Sequence, residues 1–486
     1  MSPNARAISA KDEASSQPLL ETSEESNEHE NRKLVRSRHG DTFVRCNSAD
    51  PYQAYQEPHT CAVKVNRSLN LHLGLPFNPR KVQSIRKVCR LLSKLLSFVE
   101  NYLFAIWDKV PLRLRQIITM KAWSLYLPLH KLTLSNKTAI HPDASAEYHA
   151  LSTIMYWGRL FPVTIKRMRF SLSQLPVWHA PDVYPVLKNV DKMNGNMYQV
   201  EQVLRDVQPE SCTLLSALTQ KQSDRPVQGY YIHGCSRKEG EKKVLFYLFG
   251  GAYLSGDAKG NIQFATKLAQ RCDIDIFIPE YRLLPEYNFF DSFEDTIRAY
   301  SYLIQERGVK PENVTLFGIS SGGGLSVRLL QRIAELQQES SCSIVQPELL
   351  QMPSGAVLLS PFVDYTTPKG SFKEYTAHDL IVNESVFEEG IPYLRTLGDD
   401  DARQRESPVN RSFANIPPLC LLVSEHECCY EQNIELVNNA RNAGVEVDLA
   451  VWKYMCHVWV VLSAFLPEAR SAVDFASDWI VKNTNE

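Results

Sequence analysis

Ser320 lies in Gly318-Ile319-Ser320-Ser321-Gly322, directly after the apolar run Val314-Thr315-Leu316-Phe317 and before a helical pattern from Leu325 to Ile333. A serine in that setting stands on a sharp strand-to-helix turn. Small residues two before and two after it keep the neighbouring backbone from clashing. The N–H groups of the following helix then point at the place where a negatively charged oxygen would form. The pattern is short enough to occur by chance in a glycine-bearing loop, and a turn serine in a non-catalytic fold is the alternative reading. The strand before it and the helix after it set this instance apart.

A serine hydroxyl is a weak nucleophile, so the chemistry requires a base and an acid that orients the base, in the chain order Ser, Asp/Glu, His. Pro417 to Val423 reads as a buried strand, with Ser424-Glu425-His426-Glu427 at its carboxyl end, where catalytic groups gather in open α/β sheets. Val445 to Val451 reads as a further strand, and Lys453-Tyr454-Met455-Cys456-His457 as the loop after it. One helix, from Tyr430 to Ala443, fills the interval, so both side chains emerge on the same edge of the sheet. Glu427 is the candidate acid and His457 the candidate base. Glu425 and Glu431 are alternative carboxylates, and His457 also reads as a core histidine at a helix start.

An upstream turn offers the remaining donors. Val244 to Leu248 is a β-prone run that ends in Phe249-Gly250-Gly251-Ala252-Tyr253, and glycines let backbone approach a substrate carbonyl closely. The candidate oxyanion donors are the N–H groups of Gly251, Ala252 and Ser321, each of the kind worth about 3 kcal/mol in a transition state.

With these motifs the chain resembles the hormone-sensitive-lipase-like branch of the α/β-hydrolases. The segment Glu280-Tyr281-Arg282-Leu283-Leu284-Pro285-Glu286-Tyr287 is similar to that family's D-Y-R-L-A-P-E-H, and Phe293-Glu294-Asp295, Ser360-Pro361-Phe362, Asp379-Leu380-Ile381 and Pro417-Pro418 follow in the family's order. The resemblance implies an α/β-hydrolase fold: a mostly parallel central sheet flanked by helices, plus a helical cap. It covers 226–486 as the catalytic domain, with a cap insertion near 379–397. Four departures stand out. Phe249 replaces the histidine that opens the glycine turn and must brace the loop by packing, while Ala252 adds a methyl where the family leaves room. Ile319 replaces an acidic residue in the elbow, and Glu427 stands where Asp is usual, which the orienting role tolerates.

The 486 residues are 44% hydrophobic and 22% charged, ample for a large core, and the net charge of −2 gives no reason to expect a nucleic-acid partner. Eleven cysteines without a framework spacing, and no secretory signal, fit a reduced intracellular compartment, cytoplasmic or peripheral to a cytosol-facing membrane. His426, Cys428, Cys429, Cys456 and His457 are close in sequence, but adjacent cysteines poorly match one tetrahedral zinc, so no metal or other cofactor is expected.

Residues 1–60 are rich in Ser, Glu, Asn and Gln and read as a disordered polar tail. Residues 80–204 read as amphipathic helices and cap. Within 80–121, ten Lys and Arg face two acids among Leu, Phe, Tyr, Ile and Trp. That is the composition of a membrane-surface helix, or of one packing its stripe on the body. Charges interrupt any spanning stretch.

The resemblance implies a serine hydrolase that cleaves a small-molecule carboxylic ester through an acyl-enzyme. The substrate class it implies is a hydrophobic ester, lactone or acetylated metabolite, in keeping with a tailoring step of specialised metabolism. Two other readings stand beside it: a non-catalytic small-molecule-binding pseudohydrolase, and a membrane-docked lipid hydrolase.

Overall fold

In the computed structural model the described residues are 20–21, 32–37, 42–46, 102–133, 144–158, 163–178, 199–207, 213–218, 225–234, 243–338, 347–366, 370–375, 379–382, 386, 390 and 392–485. Runs such as Val244–Leu248 and Leu419–Ser424 are buried at every position, so they need cover on both faces, and helices supply it. The strands are β1 (Leu20–Glu21), β2 (Arg32–Ser37), β3 (Thr42–Cys46), β4 (Gln199–Arg205), β5 (Val227–His233), β6 (Val244–Leu248), β7 (Asp275–Glu280), β8 (Val314–Ile319), β9 (Gly355–Leu359), β10 (Leu419–Ser424) and β11 (Val447–Trp452). They form one sheet in the order β1-β2-β3-β11-β10-β9-β8-β6-β7-β5-β4. Pairing is parallel from β11 through to β7 and antiparallel outside that block.

Ahead of the parallel block in the chain come helices α1 (102–109), α2 (Leu112–Thr133), α3 (Ala146–Gly158), α4 (Ile165–Ser173) and α5 (Leu175–Trp178). The crossovers of the parallel block are α6 (Ala258–Cys272) after β6, α7 (Phe289–Ser301) after β7, α8 (Ser321–Gln338) after β8 and α9 (Tyr430–Asn442) after β10; α10 (Pro467–Asn485) follows β11. The helices in these parallel connections carry each chain segment back so that successive strands all end on one edge. The turns after β6, β8, β10 and β11 therefore meet there.

The N-terminal helices lean on that edge at two places. Arg169 of α4 donates to the carbonyls of Leu254 (2.9 Å) and Leu284 (3.0 Å) and pairs with Glu286, beside the turn after β6. At the other end Ser145, just before α3, binds Glu468 through its N–H (2.8 Å) and hydroxyl (3.0 Å), and Trp123 of α2 meets Phe465 edge-on at 5.2 Å.

Arg282, just after β7, is the centre of a buried charge cluster. Its guanidinium reaches both oxygens of Asp295 at 2.9 Å, Glu294 at 2.8 Å and Asp291 at 3.2 Å, all on α7. This accounts physically for the paired segments at 280–287 and 293–295. Arg282→Ala would take this cation from the buried Asp291 and Glu294 and leave Asp295 with Arg225, at 3.0 Å, and is expected to lower stability by about 3–5 kcal/mol. Urea unfolding checks it: a shift of the midpoint at unchanged slope supports the role, and a midpoint within error of the parent refutes it.

Two boundaries are corrected. Within the stretch expected to be a disordered tail, β1, β2 and β3 are strands, and β3 extends the sheet by pairing antiparallel with β11. The reason is side-chain cover: the Phe43 ring stacks on Trp452 at 4.1 Å, and Arg45 forms a two-pronged pair with Asp448 at 3.1 and 2.7 Å. The rest of 1–60, residues 80–101 and, within 379–397, residues 383–385, 387–389 and 391 lie outside the described residues. Residues 199–204, expected in the cap region, belong to the edge strand β4, paired along its whole length with β5 and burying Val200 and Val203.

Candidate active site

Ser320 closes the turn between β8 and α8 with a φ of 52°, in the left-handed region that a side chain adopts only under constraint. Hydrogen bonds impose it. The Ser320 N–H donates to Leu359 O (2.9 Å), and its carbonyl accepts from Phe362 (2.9 Å) and Gly324 (3.1 Å). Gly318 and Gly322 are required by proximity: a Cβ on the first would strike Gly323 and Ser326, and on the second the carbonyls of Leu248 and Phe249. The turn after β6 is thus pressed directly against the serine.

The acid and base come to it from the ends of β10 and β11. Ser320 Oγ lies 2.8 Å from His457 Nε2, and His457 Nδ1 lies 2.8 Å from Glu427 Oε2. An ionised carboxylate only accepts, so Glu427 takes the Nδ1–H and leaves Nε2 to accept from the serine hydroxyl. The other Glu427 oxygen accepts from the Ser424 N–H at 3.0 Å. Glu427 is wholly buried, and that burial pushes its carboxyl up against the opposing pull of His457. The alternatives point elsewhere. Glu425 lies beside His426, and Glu431 sits against Gly370 and takes its N–H to Ser371 Oγ.

Asp379, read from sequence only as part of an ordered motif, is a structural hub. One carboxylate oxygen accepts from the backbone N–H of His457 (2.9 Å) and of Cys428 (3.3 Å). The other accepts from Ile381 (2.9 Å) and Val382 (3.0 Å). A single buried group thereby fixes the acid loop relative to the histidine loop. Val458 follows His457 at φ 49°, a strained value for a β-branched residue, and donates its N–H to Ser360 Oγ at 3.3 Å.

The glycine turn is braced as its altered residues require. The Phe249 ring stacks on Tyr281 at 4.2 Å, and the Tyr281 hydroxyl donates to Phe249 O at 2.6 Å, so packing does what a polar ring would do. Gly251 has φ 145° and Ala252 φ 56°. Among the described residues no acceptor takes the N–H groups of Gly251 and Ala252, and the preceding Gly250 stands against Ile319 O and the Ser320 side chain. Leu172 of α4 packs over Gly251.

The structure also brings Cys428, Cys429 and His457 together. The two sulfurs are 3.7 Å apart, and donor atoms of all three lie within 4.8 Å of one another. Both ring nitrogens of His457 are already engaged, by Ser320 and Glu427. His426 instead lies between the rings of Tyr375 and Tyr454.

Burial alone would depress His457, but the negative charge of Cys429 as a thiolate, itself held below its ordinary value, and that of Glu427 outweigh it and hold the imidazole well above its ordinary 6.5. A protonated ring cannot accept the serine proton. Turnover is therefore expected to be lost at low pH and to rise as pH climbs through that raised value. In Cys429→Ala the acid limb of kcat/KM should move down toward 6.5. A pH–rate profile whose limb already lies at the ordinary histidine value in the parent would refute the shift.

Together the parallel block, the crossover helices and a serine elbow facing an acid and a histidine define an α/β-hydrolase domain. Comparison with known proteins carries this further. Residues 245–461 match the model of a family described as alpha/beta hydrolase fold. An esterase of Acinetobacter venetianus is 24% identical over 299 residues, 61% of this chain and 94% of that protein. An acetyl-hydrolase of Streptomyces hygroscopicus is 28% identical over 252 residues, 52% of this chain and 79% of that protein. A crystal structure of an esterase from the bacterial hormone-sensitive lipase family, 22% identical, superposes with a TM-score of 0.54 over 70% of this chain and 99% of its own. Residues 245–461 thus form an α/β-hydrolase domain, similar in fold to an esterase of the bacterial hormone-sensitive lipase family.

Proposed function

We propose that the protein is a serine hydrolase that cleaves a carboxylic ester through an acyl-enzyme. The observation that carries this is the unbroken line from Ser320 through His457 to Glu427, with both links at 2.8 Å. His457 takes the hydroxyl proton as Ser320 Oγ bonds to the ester carbonyl carbon, while Glu427 stabilises the imidazolium. The oxyanion is held by the N–H groups of Gly251, Ala252 and Ser321. His457 then returns the proton to the departing alcohol, and water, deprotonated by the same ring, releases the acid. No step requires a metal or an organic cofactor.

The relatives named esterase and acetyl-hydrolase support a small ester or acetylated metabolite as substrate, in keeping with specialised metabolism. Ile319, buried at the elbow, makes the serine's surroundings less polar and fits a hydrophobic ester. The test is fluorophosphonate labelling of the folded protein beside a p-nitrophenyl ester series from acetate to long chains. Labelling at Ser320 with turnover supports the reading. A folded protein that neither labels nor turns over any ester is instead a ligand-binding pseudohydrolase.

A further inference from the structure

Helix α2 carries apolar side chains on two opposite faces. One face, with Met120 and Trp123, packs on the hydrolase body, and from it Gln116 Nε2 reaches Pro176 O at 3.0 Å and Tyr126 the Ala150 carbonyl at 3.2 Å. The opposite face holds Leu114, Ile118, Leu125, Leu129 and Leu132, all exposed, with Leu125 at 76% and Leu132 at 86%. At 3.6 residues per turn these five fall within about 60° of one another and run about 27 Å along the axis. A helix on a globular surface ordinarily has one such stripe, facing the core. The second stripe cannot serve a membrane span, because no described helix is long and apolar enough to cross.

Charge on the same element indicates the partner. Arg115 pairs with Asp108 and Lys131 with Glu147 of α3, while Lys109 and Lys121 stand exposed, Lys121 in the middle of the stripe. An apolar stripe set in excess positive charge is complementary to an interface of acyl chains beneath anionic headgroups. Position adds to this. Arg115 reaches Gln174 Oε1 at 2.9 Å, so α2 is tied to the α4–α5 segment whose Leu172 packs over Gly251. We propose that the outward face of α2 docks on an anionic membrane surface. Its further consequence, which rests on the ester-hydrolase reading, is that the ester is drawn from the lipid phase beside the cap.

The test is flotation of the full chain with phosphatidylcholine vesicles, with and without phosphatidylserine. The parent should float with the anionic vesicles only. Lys121→Glu and the triple variant Leu125→Ser/Leu129→Ser/Leu132→Ser should each lose partitioning by about tenfold or more. Because those side chains are exposed, the variants should fold, which near-parental turnover of a soluble acetate ester or an unchanged melting curve checks. Parent protein that stays unbound overturns the proposal, as does equal flotation on neutral vesicles or a triple variant that floats as well as the parent. A dimer that the triple variant dissociates, with no flotation, would assign the face to a second copy instead. Ser320→Ala should float like the parent, so failure of docking and failure of the hydrolase reading are separable.

Discussion

Replacement of Ser320 by Ala, or of His457 by Ala, is expected to lower kcat/KM for an ester by about a millionfold, with both together no worse than either alone. The two groups act as one device. Without Ser320 no covalent acyl intermediate forms, and without His457 the hydroxyl 2.8 Å away has no acceptor for its proton. What survives is the contribution of the oxyanion donors and of substrate binding, which other serine hydrolases retain at about a thousandfold over water. Ser320 makes its fold-determining bonds through backbone atoms, so Ser320→Ala should unfold at the parental urea midpoint. Residual activity within tenfold of the parent would place the chemistry on another nucleophile.

Glu427→Gln should cost about ten-thousandfold in kcat while leaving the fold intact. An amide can offer an N–H where Nδ1–H needs an acceptor, which favours the wrong tautomer and leaves Nε2 protonated toward Ser320. The acid limb of the pH profile should drop as well, because one of the groups that hold His457 up is gone. Asp379→Asn provides the contrast. Asp379 touches backbone N–H groups rather than the reacting ring, so that variant should lose less, with its acid limb unmoved. A Glu427→Gln enzyme within tenfold of the parent would show that the imidazole is oriented by something else, and Glu425 would then be examined.

The placement of Ser320, Glu427 and His457 at strand ends was legible because each is announced locally: an apolar run, a turn residue, then a helical or polar segment. Strands β6, β8 and β10 begin and end within a few residues of where hydrophobic patterning puts them. The choice of Glu427 over Glu425 needed the geometry, although the residues are two apart. What stayed hidden depends on partners far away in sequence. Asp379 becomes a hub only when Cys428 and His457 are folded onto it. The strands β2 and β3 are short and lie amid polar composition, and their stabilising contacts are with Trp452 and Asp448. No window of local sequence contains that information.

The same hairpin has a temporal meaning. Arg45 and Asp448 are separated by 403 residues, and the Phe43 ring also meets Phe475 of α10 edge-on at 5.4 Å. On the ribosome β3 is made early, yet the strand and helix that hold it are made late. Its local partner β2 precedes it, but its other flank has no strand to pair with until β11 is made, and β11 in turn emerges with an open flank of N–H and carbonyl groups, the kind of edge that recruits other chains. Docking of the hairpin is therefore a late step built on distant contacts, after which β11 is an interior strand and the edge of the sheet has moved out to β1 and β2.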